Sequence, residues 1–144
     1  MSQASLPKEE RRTLAGGCLC RKVRYTITLP AGFNDVENSC YCHCKSCRKS
    51  CGGMLMGYFY GFAEKDIEYE NTQPTAFESS KGIFRAFCPC CGSQIYVKFN
   101  MNGTDAYGFT VGSLDDPDSV RVERQAMTEF GVKQLKKLMG LETA

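Results

Sequence analysis

The chain has 144 residues, of which 42% are hydrophobic and 24% charged, proportions that are ordinary for a single globular domain. The formal net charge of +2 gives no broad basic surface for nucleic acid, and no apolar run approaches the roughly 18 residues that span a membrane. We therefore predict a protein with neither a nucleic-acid nor a membrane partner. Residues 1–13 are polar and charged and are predicted to form a disordered tail, followed by one domain over residues 14–144.

Cysteine is the outlier of the composition, with ten residues in the chain. In a secreted protein so many cysteines would indicate a disulfide framework. The N-terminal residues, however, contain no apolar segment typical of a signal peptide. The short Cys-x-Cys and Cys-x-x-Cys spacings therefore favour metal binding over disulfides, and a reducing, cytoplasmic compartment is expected for the same reason.

Short segments with alternating apolar residues recur along the chain. The first runs from Val23 to Leu29 and stops at Pro30, after a predicted turn over residues 16–20. Further strands are predicted over residues 54–62, 67–70, 75–78, 83–87, 95–99 and 106–111, and alternation recurs over 120–124. Ile95, Val97 and Phe99 are expected on one face, and Asn102-Gly103 indicates a hairpin turn.

Only the C-terminus shows a helical pattern, with an apolar stripe formed by Phe130, Leu135, Leu138 and Met139. Many short strands with turn signals and a single helix are typical of a mainly β protein. The predicted fold is therefore built from antiparallel β-sheets and carries a C-terminal helix.

The segment Cys88-Pro89-Cys90-Cys91-Gly92 has the pattern of a zinc knuckle, in which two thiolates at i and i+3 point to one side. Glycine after the second ligand tolerates the left-handed backbone of such a turn. A second two-thiol turn, Cys18 and Cys20, lies about 70 residues earlier. We predict that these two turns form a closed four-cysteine structural zinc site, with Cys90 facing away.

A second group of thiols lies between Cys40 and Cys51. Cys42, Cys44 and Cys47 can point to one zinc ion, and three protein ligands leave one tetrahedral position open, as in catalytic zinc sites. Either Cys40 or Cys51 could close that position. His43 is the one histidine of the chain and should point away from the metal, because its two neighbours face it.

In order and spacing, three segments resemble the glutathione-dependent formaldehyde-activating enzyme family, also called the centromere protein V family. They are Gly17-Cys18-x-Cys20-x-x-Val23-x-Tyr25, Cys42-His43-Cys44-x-x-Cys47-Arg48 and Phe87-Cys88-x-x-Cys91-Gly92-Ser93. The resemblance covers about Leu14 to Val122. It implies an Mss4-like β fold with two zinc ions per chain, one structural and one catalytic. It also implies a carbon–sulfur lyase activity that combines glutathione with a small aldehyde, and it places Arg48 at the catalytic site.

Two classes of function remain open at this point. One is a zinc-dependent lyase that acts on a small carbonyl compound or on its thiol adduct, with glutathione as the candidate thiol. The other is a non-enzymatic Mss4-like zinc module that docks a protein partner. A cavity beside an open zinc position would favour the enzyme, whereas a closed site beside an exposed apolar patch would favour docking. The oligomeric state is open as well, with a homo-oligomer among the alternatives.

Overall fold

The structure is a computed structural model that describes residues 11–101 and 103–141. In this part of the chain ten strands form two sheets. The strands are β1 (Thr13–Gly17), β2 (Arg24–Thr28), β3 (Ser39–Cys42), β4 (Met56–Phe62), β5 (Ile67–Tyr69), β6 (Thr75–Ser80), β7 (Ile83–Phe87), β8 (Gln94–Met101), β9 (Thr104–Thr110) and β10 (Gln125–Ala126).

The smaller sheet has the strand order β1-β2-β5, and the larger one has the order β10-β3-β4-β9-β8-β7-β6. Every pairing is antiparallel except that of β10, which lies parallel to β3. The prediction of a mainly β, antiparallel fold is therefore confirmed. The predicted hairpin is also present as β8 and β9, although Asn102 in its turn lies outside the described residues.

The main core lies between the two sheets. Tyr25 and Ile27 of β2 meet Phe59 of β4 and Phe109 of β9, and all four side chains are fully buried. The Tyr25 and Phe109 rings pack edge to face at 4.7 Å, the geometry that aromatic quadrupoles favour. Burying such side chains contributes about 1.5–3 kcal/mol each, so this core holds the two sheets together.

A second apolar cluster packs on the opposite face of the larger sheet. It is smaller and includes sulfur-bearing side chains; its buried members are Cys47, Met56, Tyr58 and Val97. The larger sheet thus has one face toward the main core and the other toward a group of thiols. This second face carries the candidate site.

Strand β8 departs from the predicted alternation. Ile95 belongs to the main core, whereas Val97 and Phe99 belong to the second cluster, so the prediction that all three share one face is wrong. The cause is a β-bulge, because Ala86 pairs with Tyr96 while Phe87 pairs with Gln94. The extra residue, Ile95, shifts the strand by one position and reverses the facing of the later residues.

Helix α1 (Lys45–Cys51) contradicts the prediction that only the C-terminus is helical. The helix has no apolar stripe, since Cys47 is its one buried residue, and its periodicity is therefore invisible in the sequence. Its ends are well defined: the Cys44 side chain caps the N-terminus, and Gly52 ends the helix in the left-handed conformation with φ of 73°.

The predicted C-terminal helix is present as α2 (Lys133–Leu138), but it is only six residues long. Phe130 precedes it in a separate 3₁₀ turn, and the Leu138 side chain is 86% exposed. The apolar stripe is therefore not buried against the domain. No helix in the described residues combines the length and the hydropathy that crossing a bilayer requires.

At the N-terminus, residues 1–10 of the predicted tail lie outside the described residues. The last residues of that segment belong to the fold, because Arg12 pairs with Asp35 at 2.6 Å and Thr13 opens β1. Gly16 also lies in β1 rather than in the predicted turn. A Cβ atom at Gly16 would collide with the Ser113 carbonyl oxygen and the Tyr25 hydroxyl group, so close packing requires glycine there.

Candidate metal centres

All ten cysteines are free thiols, and seven of them form two groups that could each hold a metal ion. Within each group the sulfur atoms all lie within 4.8 Å of one another. We refer to Cys18, Cys20, Cys88 and Cys91 as the four-cysteine cluster, and to Cys42, Cys44 and Cys47 as the three-cysteine cluster. The predicted residues are thus brought together in the predicted sets.

The geometry of the four-cysteine cluster fits a tetrahedral zinc site. The Cys18 and Cys20 sulfur atoms are 3.5 Å apart, and those of Cys20 and Cys88 are 3.7 Å apart. A zinc ion with four bonds to sulfur of about 2.3 Å has sulfur–sulfur edges of about 3.8 Å. The observed spacing would therefore need little adjustment to receive the ion.

Backbone groups support this cluster from both turns. The Val23 N–H donates to the Cys18 sulfur at 3.2 Å, and the N–H groups of Cys90 and Cys91 donate to the Cys88 sulfur at 3.4 and 3.5 Å. Such bonds favour thiolate sulfur and orient it. The two turns come after β1 and β7, which lie in different sheets, so the cluster connects the smaller sheet to the larger one. Cys90 is exposed and is not part of the cluster, as predicted.

The three-cysteine cluster is built where β3 meets α1. Cys42 is the last residue of β3, Cys44 caps the helix, and Cys47 lies in its first turn. The Cys47 N–H donates to the Cys44 sulfur at 3.3 Å, which fixes the position of that thiol. The helix that the sequence pattern did not predict is therefore the element that brings the third sulfur atom into place.

Among the described residues no fourth cysteine, histidine or carboxylate joins this cluster. Cys51 is exposed, and its sulfur contacts backbone groups of Arg48, Gly53 and Leu55 instead. Cys40 lies two residues before Cys42 on β3, but it is not a member of the cluster. Neither residue closes the fourth position in this structure.

A buried arginine that was not predicted from the sequence contacts the three-cysteine cluster. Arg85 lies in the middle of β7, and its Nη1 is 3.7 Å from the Cys47 sulfur and 3.3 Å from the Tyr58 hydroxyl oxygen. The Tyr58 hydroxyl in turn lies 3.6 Å from the same sulfur. The signal in the sequence is a charged residue at the centre of the apolar segment 83–87, which a buried strand rarely contains without a functional partner.

The thiols of both clusters differ in acidity. Hydrogen bonding from the Cys42 thiol lowers the pKa of Cys47 to about 5, and Cys44, Tyr58 and Arg85 act in the same direction against the effect of burial. In the four-cysteine cluster, hydrogen bonds from Ser93 lower the pKa of Cys91 to about 5. Burial acts to raise the pKa of Cys18, but hydrogen bonds from the Val23 N–H and from the Cys20 and Cys88 thiols outweigh that effect, so this pKa is lowered as well. Each cluster thus contains at least one thiol with a lowered pKa, and thiolate is the form that binds a metal ion.

A cavity of about 400 Å³ opens beside the three-cysteine cluster, and we refer to it as the metal-side cavity. Its walls are mainly apolar and aromatic, and it is bounded by two arginines; the lining residues are Cys40, Cys42, Cys44, Cys47, Tyr58, Tyr60, Arg85, Val97, Phe99, Gly108, Arg124 and Ala126. Arg124 is held in position because its Nη1 donates to the Glu37 carbonyl oxygen at 2.7 Å and to the Tyr60 hydroxyl oxygen at 3.1 Å. The volume suits a small ligand.

Two other residues considered from the sequence lie outside this cavity. His43 is completely buried, and its Nε2 lies 2.7 Å from the Gln125 side-chain oxygen, so it fastens β10 to β3 rather than facing the cluster. Arg48 is not among the residues that line the cavity, and its Nε is buried without a hydrogen-bond partner in the described part of the chain. The catalytic role of Arg48 stays a prediction.

Comparison with known proteins identifies the family. Residues 13–129 match the family described as Glutathione-dependent formaldehyde-activating enzyme, which is most of the chain. The chain belongs to this family. The match confirms the resemblance seen in the sequence and extends it beyond Val122. The family is associated with enzymes, and both cysteine clusters lie inside the matched region.

The fold is also similar to a solved structure. A crystal structure of a Rhodobacter sphaeroides protein, a target of the Northeast Structural Genomics programme, matches with a TM-score of 0.60 and 21% sequence identity. The match covers 79% of this chain and 100% of the other. At this identity the likeness shows a shared fold alone. No curated protein matches the chain.

Proposed function

We propose that the protein is an enzyme that joins a thiol to a small aldehyde and also breaks the adduct, with glutathione and formaldehyde as the substrate pair to test first. We further propose that it holds two zinc ions, a structural one in the four-cysteine cluster and a catalytic one in the three-cysteine cluster. One observation supports this most strongly: a set of three thiols with no fourth ligand among the described residues faces a cavity with apolar walls and a fixed guanidinium group.

The chemistry needs few groups from the protein. The thiol sulfur adds to the carbonyl carbon, a carbon–sulfur bond forms as the carbonyl π bond opens, and the thiol proton ends on the oxygen. The reverse direction is the lyase reaction. A zinc ion in the three-cysteine cluster would supply a Lewis acid that favours the thiolate form of an incoming thiol.

The residues of the metal-side cavity provide binding and orientation. Arg124 projects a cation into the cavity and can hold a substrate carboxylate, because its hydrogen bonds to described residues involve Nη1 and a guanidinium has five N–H groups. Val97 and Phe99 also line the cavity and would exclude water from the reacting atoms. Glutathione carries both the thiol and the carboxylates that this arrangement suits.

The alternative of a docking module rests on a closed metal site. The three-cysteine cluster has no fourth ligand among the described residues and has a cavity beside it, which favours the enzyme. The free state of all ten cysteines supports our proposal that the protein works in a reducing, cytoplasmic compartment.

The test is to monitor exchange between glutathione, formaldehyde and their adduct by NMR, with the wild-type protein and with Cys44→Ser. We expect the wild type to accelerate exchange and the variant to lose that acceleration while keeping its fold. Cys51→Ser is the matched control, because this exposed thiol ends the same helix without joining the cluster. Equal activity of Cys44→Ser and Cys51→Ser would reject the three-cysteine cluster as the active site.

A further inference from the structure

We propose that Arg85 is a positioning residue that balances the negative charge of the three-cysteine metal centre and thereby allows a thiolate to bind as its fourth ligand. The inference rests on the proposed function, since it assumes that a zinc ion occupies this cluster. It assigns a role to a residue that touches a metal ligand rather than the substrate.

Arg85 is held rigidly at the cluster. Only 8% of the residue is exposed, and it lies between β6 and β8, paired with Phe77 on one side and Val97 on the other. Its Nε donates to the Ser79 hydroxyl oxygen at 3.2 Å, and its Nη1 donates to the Ser50 hydroxyl oxygen at 3.4 Å and the Tyr58 hydroxyl oxygen at 3.3 Å. These neutral groups fix the guanidinium in place, and its Nη1 also reaches the Cys47 sulfur at 3.7 Å.

The charge of Arg85 has no carboxylate partner in the described part of the chain. The ion pairs found there involve other cations, and the one formed within the larger sheet joins Lys98 of β8 to Asp105 of β9. A buried cation without a counter-ion costs several kcal/mol. The thiolates of the three-cysteine cluster are the anions within reach, so the metal centre is the counter-ion of Arg85.

Counting formal charges shows what Arg85 changes. Three thiolates and Zn²⁺ carry a formal charge of −1, and a thiolate as fourth ligand makes the formal charge −2. With Arg85 included, the two states carry 0 and −1. The N–H group directed at the Cys47 sulfur also withdraws electron density from it, as hydrogen bonds to metal ligands do. Both effects favour binding of an anionic fourth ligand.

The test uses protein in which Co²⁺ replaces zinc in the three-cysteine cluster, because thiolate binding to Co²⁺ changes its absorption spectrum. We would titrate 2-mercaptoethanol, a thiol without carboxylates, and then glutathione. Arg85→Gln removes the charge, Arg85→Lys keeps it, and Lys49→Gln is the control, since Lys49 is a cation two residues after Cys47 on the same helix. We expect Arg85→Gln to lower the affinity for both thiols by about 10–100-fold, the usual effect of removing a group that supports a metal ligand.

Arg85→Lys should bind both thiols more tightly than Arg85→Gln, and Lys49→Gln should match the wild type. If Arg85→Gln binds both thiols as the wild type does, the inference on Arg85 is wrong while the proposed function stands. If Arg85→Gln does not fold, Arg85→Lys decides: loss of thiol binding from a folded Arg85→Lys protein would contradict the charge argument.

A wild-type protein that binds neither thiol would reject the proposed function instead. In that case the affinity for Co²⁺ itself tests the role of Arg85, since charge balance predicts about 10–100-fold weaker metal binding in Arg85→Gln than in Lys49→Gln. Equal metal affinities would overturn the inference.

Discussion

Removing the two exposed thiols of the four-cysteine cluster, Cys20 and Cys91, should destabilise the whole domain if the cluster holds zinc as proposed. In the double variant Cys20→Ala and Cys91→Ala, one thiol remains on each turn, too few to hold zinc tightly. Both residues are exposed, so neither substitution opens a cavity in the core. The measured loss would therefore report the metal cross-link rather than side-chain packing.

The size of the effect depends on the chain that the cross-link closes. Cys20 and Cys88 are 68 residues apart, and closing a loop of that length in the unfolded chain contributes about 4 kcal/mol in the chain-entropy account. The full zinc-binding free energy of a structural site is larger, about 10–16 kcal/mol, against a typical domain stability of about 5–15 kcal/mol. We therefore expect a loss of at least about 4 kcal/mol, which corresponds to a fall in Tm of roughly 10–15 °C.

The assay combines urea and thermal unfolding with zinc analysis of the purified protein. Cys90→Ala is the matched control, because Cys90 is an exposed thiol next to Cys91 that does not belong to the cluster. We expect the control to keep the stability and the metal content of the wild type. If the double variant unfolds at the same temperature as Cys90→Ala with the same zinc content, the structural role of the cluster is refuted.

Three other perturbations test the metal-side cavity, the metal ion proposed beside it and a surface ion pair. If zinc occupies both clusters as proposed, a mild chelator should remove it from the three-cysteine cluster first and leave a folded protein with one zinc ion. The reason is that three thiols would hold the ion there, against four at the other site; simultaneous loss of both ions would contradict this. Gly108→Leu should abolish aldehyde–thiol exchange with little change in Tm. A Cβ atom at this position meets Val97 and Tyr60 at ordinary distances of 3.4 and 3.5 Å, and because Gly108 lines the metal-side cavity we expect the rest of the leucine side chain to fill it. Retained exchange would mean that the substrate binds elsewhere. Asp115→Asn should lower the free energy of unfolding at neutral pH by less than about 1 kcal/mol, because the Asp115 side chain is 53% exposed and water screens its pair with Arg24. Arg24 lowers the pKa of Asp115, so this contribution is present above the unfolded-state pKa of about 3.9 and disappears as pH falls through the folded-state pKa. Urea unfolding should therefore show wild type and variant converging in acid, and a difference that grows in acid would contradict the assignment.

The two cysteine clusters could be predicted from the sequence because the spacing of their thiols is a local feature. Both turns show closely spaced thiols in the sequence, and the turn at Cys88 also shows the permissive glycine, because Gly92 has φ of 78°. In the turn at Cys18 the left-handed position is occupied by Arg21, with φ of 69°, which the sequence did not indicate. Strands in which apolar and polar residues alternate regularly could also be predicted, because that pattern is local as well; β2 is an example.

The features that could not be predicted depend on contacts between distant segments. Helix α1 is held by the Cys44 side-chain cap and by packing of Cys47 rather than by an apolar stripe. Its sequence therefore shows no apolar periodicity. Arg85 lies 38 residues from Cys47, and only the pairing of β7 with β8 and β6 brings it under the cluster. The β-bulge at Ile95 reversed the facing of Val97 and Phe99, which placed them in the cavity wall.

We have proposed that the three-cysteine cluster holds a zinc ion whose fourth position is open to a thiol. Anomalous zinc diffraction from crystals grown with zinc and soaked with glutathione tests it most directly. We expect two zinc peaks per chain, one surrounded by the four-cysteine cluster and one bound to Cys42, Cys44, Cys47 and the sulfur atom of glutathione. A second peak closed by Cys40, or no peak at the three-cysteine cluster, would contradict the claim.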